Sequence, residues 1–267
     1  MREKKIYCGE KYLEVDIFPY TDNQQDVHRS GKRAKKQKET EPKQRNLNDK
    51  NARRYLTQLA NTNFNEEDLH VTATYKEKYL PETIEEAEKE VTNYLRRISY
   101  RRKKEGLPPL KYILVTEYST EKGTEKPTRI HHHIFMSGGL DRDTVEDLWC
   151  KRRKKGEKKG ERIGFINADR LQPDENGVAA LCTYLTKNPN GKKRWSSSQN
   201  LEKPWSRSND FKYSRREVEK IAKTPQDVAY WEKKYEGYTI ANKDYGVKME
   251  YNEVTGWSIY LKLRRRD

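Results

Sequence analysis

Arg129-Ile130-His131-His132-His133-Ile134-Phe135 is the stretch on which the reading of this chain turns. Apolar residues flank a histidine triplet, and the β-branched and aromatic side chains predict a strand. Successive side chains of a strand point to opposite faces, so His131 and His133 share one face and His132 takes the other. Two imidazoles at that spacing can serve one divalent ion.

Upstream, Lys111 to Tyr118 predicts a second strand, in which the apolar run Ile113-Leu114-Val115 leads to Glu117. A polar loop with Gly123 and Pro127 joins the two strands. A hairpin centred near residue 124 or 125 sets Glu117 opposite His131 or His133. Directly opposed side chains have Cβ atoms ~5 Å apart, close enough to share a metal. His131, His133 and Glu117 are therefore the candidate ligands. Mixed nitrogen and oxygen donors suit Mn²⁺, Mg²⁺ or another first-row ion, and the sequence does not choose among them. No H-E-x-x-H helix is present, which excludes the zinc-protease pattern. His70, on a predicted strand from Leu69 to Tyr75, reads as structural.

Downstream, a helix is predicted at 141–150, a basic loop at 151–162, a short strand from Ile163 to Ala168, and a helix at about 176–187. In the last helix Val178, Leu181, Cys182 and Leu185 form the buried stripe. Tyr184 stands about 100° round from it, with Lys187 one turn further along the same side. A protonated phenol, with a pKa of ~10, is a poor nucleophile. A metal on the phosphate and a nearby ammonium would favour the phenolate. Covalent attack on a phosphodiester conserves bond energy, so the same site can later rejoin the strand. With 18 tyrosines in the chain, type alone selects none. The Y-x-x-K spacing and the upstream histidines select Tyr184, with Tyr75, Tyr118 and Tyr213 in reserve.

A helix over 82–104 carries Ile84, Ala87, Val91, Leu95 and Ile98 on one face, and its acidic first turn and basic last turn suit the helix dipole. Tyr12 to Ile17 is a possible strand. Arg29 to Arg45 is a basic run with no hydrophobic period, expected to be a flexible arm. Asn48 is then expected to cap a helix that buries Ala52, Tyr55, Leu56 and Leu59. Beyond residue 213 two helices and a hairpin at Thr255-Gly256 are expected, with Trp257, Ile259, Leu261 and Leu263 alternating. The order β-α-β-β-α-β-α implies the α+β class, an antiparallel sheet with helices packed on it. The expected divisions are a basic arm and helix over 1–60, the catalytic domain over 61–213, and a helix-hairpin extension over 214–267.

The 267 residues are 32% hydrophobic and 37% charged, with a net charge of +15, the footprint of a polyanion binder. The 28 aromatic residues (18 Tyr, 5 Phe, 5 Trp) argue against disorder. Cys8, Cys150 and Cys182 are scattered and odd in number, without the spacing of a zinc finger or a disulfide framework, which fits a reducing compartment. No run approaches the ~18 apolar residues of a membrane span, and no secretory signal opens the chain. There is no phosphate-binding P-loop, so no intrinsic helicase motor is expected.

In these residues the chain resembles the HUH endonucleases, and among them the single-tyrosine rolling-circle replication initiators of plasmids, phages and integrative elements. His70-Val-Thr-Ala-Thr-Tyr75 resembles the family's first motif. His131 and His133 match its histidine-hydrophobic-histidine motif, with His132 departing from the usual apolar middle residue. Tyr184 and Lys187 match its Y-x-x-K motif. Lys193 to Leu201 also resembles the stretch that follows the tyrosine helix. The resemblance covers roughly residues 47–215. It implies a ferredoxin- or RRM-like, five-stranded antiparallel sheet with the metal at its centre. It also implies a 5′-phosphotyrosine link, a free 3′-hydroxyl that primes synthesis, and a site on single-stranded origin DNA. A host helicase and DNA polymerase would be partners, in a bacterial cytoplasm.

For DNA contacts the dense charge points to Arg53, Arg54, Arg129, Lys192, Lys193 and Arg194, with Trp195 as a stacking aromatic. A single-tyrosine transposase, a relaxase, or a non-enzymatic DNA- or RNA-binding sheet are the alternatives. Oligomeric state is not legible.

Overall fold

Strict alternation of buried and exposed side chains builds two antiparallel sheets, each with its own hydrophobic core. The computed structural model describes residues 1–20, 42–120, 127–152, 160–186, 194–224, 227–242, 244 and 246–266. The expected arm over 29–45 therefore lies almost wholly outside the described residues, as do Lys187, Lys192 and Lys193. The chain divides into two compact units, one of Asn63–Pro173 with Val178–Glu202, the other of Met1–Thr62, Asp174–Gly177 and Lys203–Asp267. These divisions differ from boundaries at 60 and 213, because the chain's two ends pair with each other.

The first unit holds a five-stranded sheet. Its strands are β3 (Leu69–Thr74), β4 (Tyr112–Thr120), β5 (Pro127–Met136), β6 (Ile166–Arg170) and β7 (Ser196–Ser197), in the order β6-β3-β5-β4-β7. Helix α2 (Ile84–Lys104) covers one face, where Val91, Tyr94, Leu95 and Ile98 join Val71, Ala73, Leu114, Ile134 and Trp149 in the core. Thr83 caps α2 by accepting from the Glu86 amide, while Glu86 accepts from the amide of Glu82, so orphan donors at both places are satisfied. Short helices α3 (Arg142–Asp147) and α4 (Ala179–Leu185) complete the unit.

The second unit holds a six-stranded sheet of β1 (Arg2–Cys8), β2 (Tyr12–Phe18), β8 (Trp205–Asn209), β9 (Tyr238–Ile240), β10 (Val247–Asn252) and β11 (Gly256–Arg265). The order is β10-β11-β2-β1-β8, with β9 also on β11. The expected hairpin turns at Gly256, whose φ of 87° suits a residue without Cβ. Ile259, Leu261 and Leu263 alternate inward against α5 (Arg215–Lys223) and α6 (Val228–Lys234).

Helix α1 (Pro42–Asn63) also belongs here and starts six residues before the expected cap. Pro42 supplies the fixed φ that a first helical position wants. Asn48 is interior to the helix, its side-chain oxygen accepting from Gln44 one turn back. Arg54 of α1 donates to Glu14 and Asp16 of β2, with distances of 2.7–2.9 Å, and Gln58 donates to Glu14. The side chain expected to meet DNA at Arg54 is thus committed to an internal ion cluster.

Candidate active site

The register of β4 on β5 pairs Glu117 with His131, Thr116 with His132 and Val115 with His133. On the other side β3 pairs Thr74 with His131 and Thr72 with His133. The three candidate ligands therefore share the face opposite α2. The rings of His131 and His133 lie parallel at 6.5 Å, and His133 Nε2 is 3.8 Å from Glu117 Oε2. Across from that, Thr72 Oγ1 lies 3.3 Å from His133 Nδ1. If Nδ1 carries the proton it donates to Thr72 and leaves Nε2 as a lone pair toward Glu117, the usual orienting arrangement behind a metal ligand.

Burial, with the charges of His70 and His131 adding to it, pushes His133 down to about 4, so its imidazole is neutral at ordinary pH. The His133–Glu117 approach is accordingly a neutral contact rather than an ion pair. Two ligands each ~2.1 Å from one ion at near-tetrahedral or octahedral angles stand ~3–3.5 Å apart. The 3.8 Å separation is a few tenths wider. Among the described residues no three His, Cys, Asp or Glu side chains already converge as a metal cage. The donor chemistry fits a divalent ion, and closure requires rotation of the part-exposed Glu117 and His131 side chains.

His132 points into the core and is fully buried. Tyr75 Oη lies 2.8 Å from its Nε2 and Thr116 Oγ1 3.0 Å from its Nδ1, so both nitrogens are satisfied. Burial, with help from the neighbouring histidines, pushes its pKa down to about 3. A polar residue thereby occupies an apolar position without an unpaired group.

Tyr184 reaches the histidine face from α4. Its ring meets His133 edge-on with centroids 6.3 Å apart, and 62% of the residue is exposed. Cys182 and Leu185 anchor the helix, as the stripe predicts. Of the reserves, Tyr75 and Tyr213 are unsuited to attack. Burial raises the pKa of both phenols, Tyr75 is bonded to His132, and Tyr213 is bonded to Tyr235 in the other unit. Tyr118 lies at a bulge between Glu117 and Ser119.

Residues 68–189 match a family model of replication-associated proteins, the ORF2 family. That span is less than half of the chain, yet it contains β3, β4, β5, β6 and α4, and with them Glu117, His131, His133 and Tyr184. The match supports a replication-associated role. No curated protein and no solved structure matches the chain.

The other expected contacts are scattered. Arg129 is exposed on β5 and has a φ of 49°, a left-handed conformation at the bulge where two residues of β5 oppose one of β4. Arg194 and Trp195 are half-buried in the same unit, while Arg53 is exposed on α1 of the other. Sequence reading missed Thr72, which faces His133, and gave His70 only a structural part. His70 stacks on His133 with centroids 5.6 Å apart, and its buried Nε2 has no hydrogen-bond partner among the described residues. The alternation of β3 alone was enough to put Thr72 and His70 on one face.

Proposed function

We propose that this chain is a rolling-circle replication initiator that nicks one strand of origin DNA with Tyr184 as the nucleophile. The observation that carries this is the meeting of Tyr184 with His133, beside the His131–Glu117 pair, on one sheet face. In the step envisaged, the Tyr184 oxygen bonds to phosphorus as the P–O3′ bond breaks. The phenolic proton leaves, and the departing 3′ oxygen takes one up as the hydroxyl that primes synthesis. A 5′-phosphotyrosine remains, and the reverse reaction rejoins the strand.

His131, His133 and Glu117 would hold a divalent ion, Mn²⁺ or Mg²⁺, which supplies charge neutralisation at the phosphate. Thr72 fixes the tautomer of His133, and the neutral state of that ring keeps its lone pair free. Lys187, by its spacing from Tyr184, would offset charge on the same phosphate. Arg129, Lys192, Lys193, Arg194 and Trp195 are the proposed contacts to DNA, with Arg53 on the other unit. The partners would be single-stranded origin DNA, a separate helicase and a host polymerase.

A purely RNA-reading sheet would carry exposed aromatics on its central strands. Here the open face of β3 and β5 presents His70, Thr72, Thr74, His131 and His133 instead. The test is covalent trapping with Mn²⁺ and single-stranded DNA on a denaturing gel. A shifted band that maps to Tyr184 and vanishes in Tyr184→Phe and His131→Ala supports the reading. Tight binding with no adduct on any DNA overturns it.

A further inference from the structure

Phe165 stands out from the packing of its unit, because 77% of it is exposed while the backbone beneath it is firmly held. The Thr74 amide donates to the Phe165 carbonyl at 2.8 Å, and Thr74 Oγ1 donates to the same oxygen at 3.1 Å. Gly164 passes so close to Thr74 that a Cβ there would lie 1.8 Å from the Thr74 carbonyl oxygen, so no larger residue fits. That carbonyl in turn accepts from Trp149 Nε1 at 2.9 Å, from within the core. Only the Phe165 ring is left without a place in the packing.

Its location is what gives the ring meaning. Ala73 pairs with Ile166, so the next position sets Thr74 across from Phe165. Thr74 pairs with His131, and His131 with Glu117. Phe165, Thr74, His131 and Glu117 therefore form one row across four strands. Exposed Phe165, Asn167 and Asp169 alternate with half-buried Ile166 and buried Ala168, which puts Phe165 on the histidine face. Two strand spacings of ~4.8 Å separate it from His131, about 10 Å. That distance corresponds to about three stacked nucleotides at 3.4 Å each, or fewer in a stretched strand. Exposed Lys76, just beyond β3, and exposed Arg129 on β5 lie at the same end of the sheet and add positive charge.

We propose that Phe165 is a stacking platform for an unpaired base, holding the DNA strand a few nucleotides from the phosphate to be attacked. The inference rests on the strand-nicking reading for its purpose, but its physical content is base stacking on a rigidly mounted ring, with phosphates met by the flanking cations. A protein partner is the competing occupant. A ring set in line with histidines and bracketed by two cations suits a ligand that alternates flat apolar rings with anions better than it suits an apolar protein surface.

The test measures affinity by fluorescence anisotropy in the Tyr184→Phe background, which removes covalent capture. The probes are oligothymidine of about 20 nucleotides, longer than one binding site, and an abasic strand of equal length. Phe165→Ala is expected to weaken oligothymidine binding about tenfold, within the 5- to 150-fold range of a lost stacking contact. Phe165→Leu should weaken it similarly, since it keeps apolar area without a ring, and Phe165→Trp should retain affinity. Binding to the abasic strand should not change in any of them.

An affinity for oligothymidine within twofold of the parent in Phe165→Ala overturns the inference, as does an equal loss on the abasic strand. A changed sedimentation coefficient with unchanged DNA affinity also overturns it, in favour of a protein contact. Trapping with Tyr184 restored separates the two claims. An adduct with Phe165-independent binding leaves the nickase and removes the platform. Phe165-dependent binding with no adduct leaves the platform and removes the nickase.

Discussion

Tyr184 meets His133 edge-on, with ring centroids 6.3 Å apart, although 51 positions separate them in the chain. The aromatic edge-to-face contact brings a phenol to a face already lined by His131 and Glu117. Tyr75 stands on the opposite side of the same sheet, hydrogen-bonded to His132. These two tyrosines should separate cleanly by experiment.

Tyr184→Phe is expected to abolish the covalent DNA adduct and change thermal stability little, because the residue is mostly exposed. Tyr75→Phe should keep the adduct but lower stability by about 1–3 kcal/mol, the cost of leaving a His132 nitrogen unpaired in the core. Gel trapping and chemical denaturation on both variants decide this. An adduct that survives Tyr184→Phe would shift attention to Tyr118.

His132→Leu restores an apolar middle residue but strands the hydroxyls of Thr116 and Tyr75. The expected loss is about 1–3 kcal/mol for each group left unsatisfied. Adding Thr116→Val and Tyr75→Phe should recover most of it, since removing all the polar partners together leaves nothing unpaired. Denaturant midpoints of the single and triple variants measure the difference. Equal stability of the two would mean that the network contributes no such constraint.

The depressed histidines predict a pH dependence of stability in metal-free protein. His132 and His133 titrate at about 3 and about 4 when folded, against 6.5 in the unfolded chain. The unfolded state therefore binds more protons in that interval, and stability rises with pH there. It is complete above pH 6.5 and declines as pH falls towards 4. Each histidine contributes a slope of about 1.4 kcal/mol per pH unit at most. The triple variant lacking His132 should show about half the histidine part of the slope in denaturation curves taken between these limits.

Arg129 and Arg54 are both arginines of basic segments, and the structure gives them opposite roles. Arg129→Gly relieves a left-handed backbone cost of about 1–2 kcal/mol and adds about 0.5–1 of unfolded-chain entropy, for a small net gain. The same change should weaken single-stranded DNA binding and reduce its salt dependence by about one cation. Arg54→Ala leaves Glu14 and Asp16 buried without their cation. It should cost about 2–3 kcal/mol, below a fully buried pair because the guanidinium is partly exposed, and leave DNA affinity unchanged. Salt titrations of binding and urea melts on both variants test the contrast.

The candidate face was legible in the sequence wherever a local rule governs geometry. Strand alternation is a property of the backbone, so His131 and His133 on one face and His132 on the other followed from their spacing. The turn-centred register of β4 and β5 followed from loop length and put Glu117 opposite His131. The apolar stripe of α4 located Tyr184 at the border of its buried side. What only the tertiary structure decided are the pairings between segments far apart in sequence. Thr72 behind His133, Phe165 in the row of His131, and the union of β1 and β2 with β8 and β11 depend on which strands become neighbours. The fate of Arg54 had the same origin. A charged side chain on a helix reads as solvated until a partner strand brings carboxylates to it. Local periodicity records which face a residue takes, whereas long-range packing chooses what that face meets.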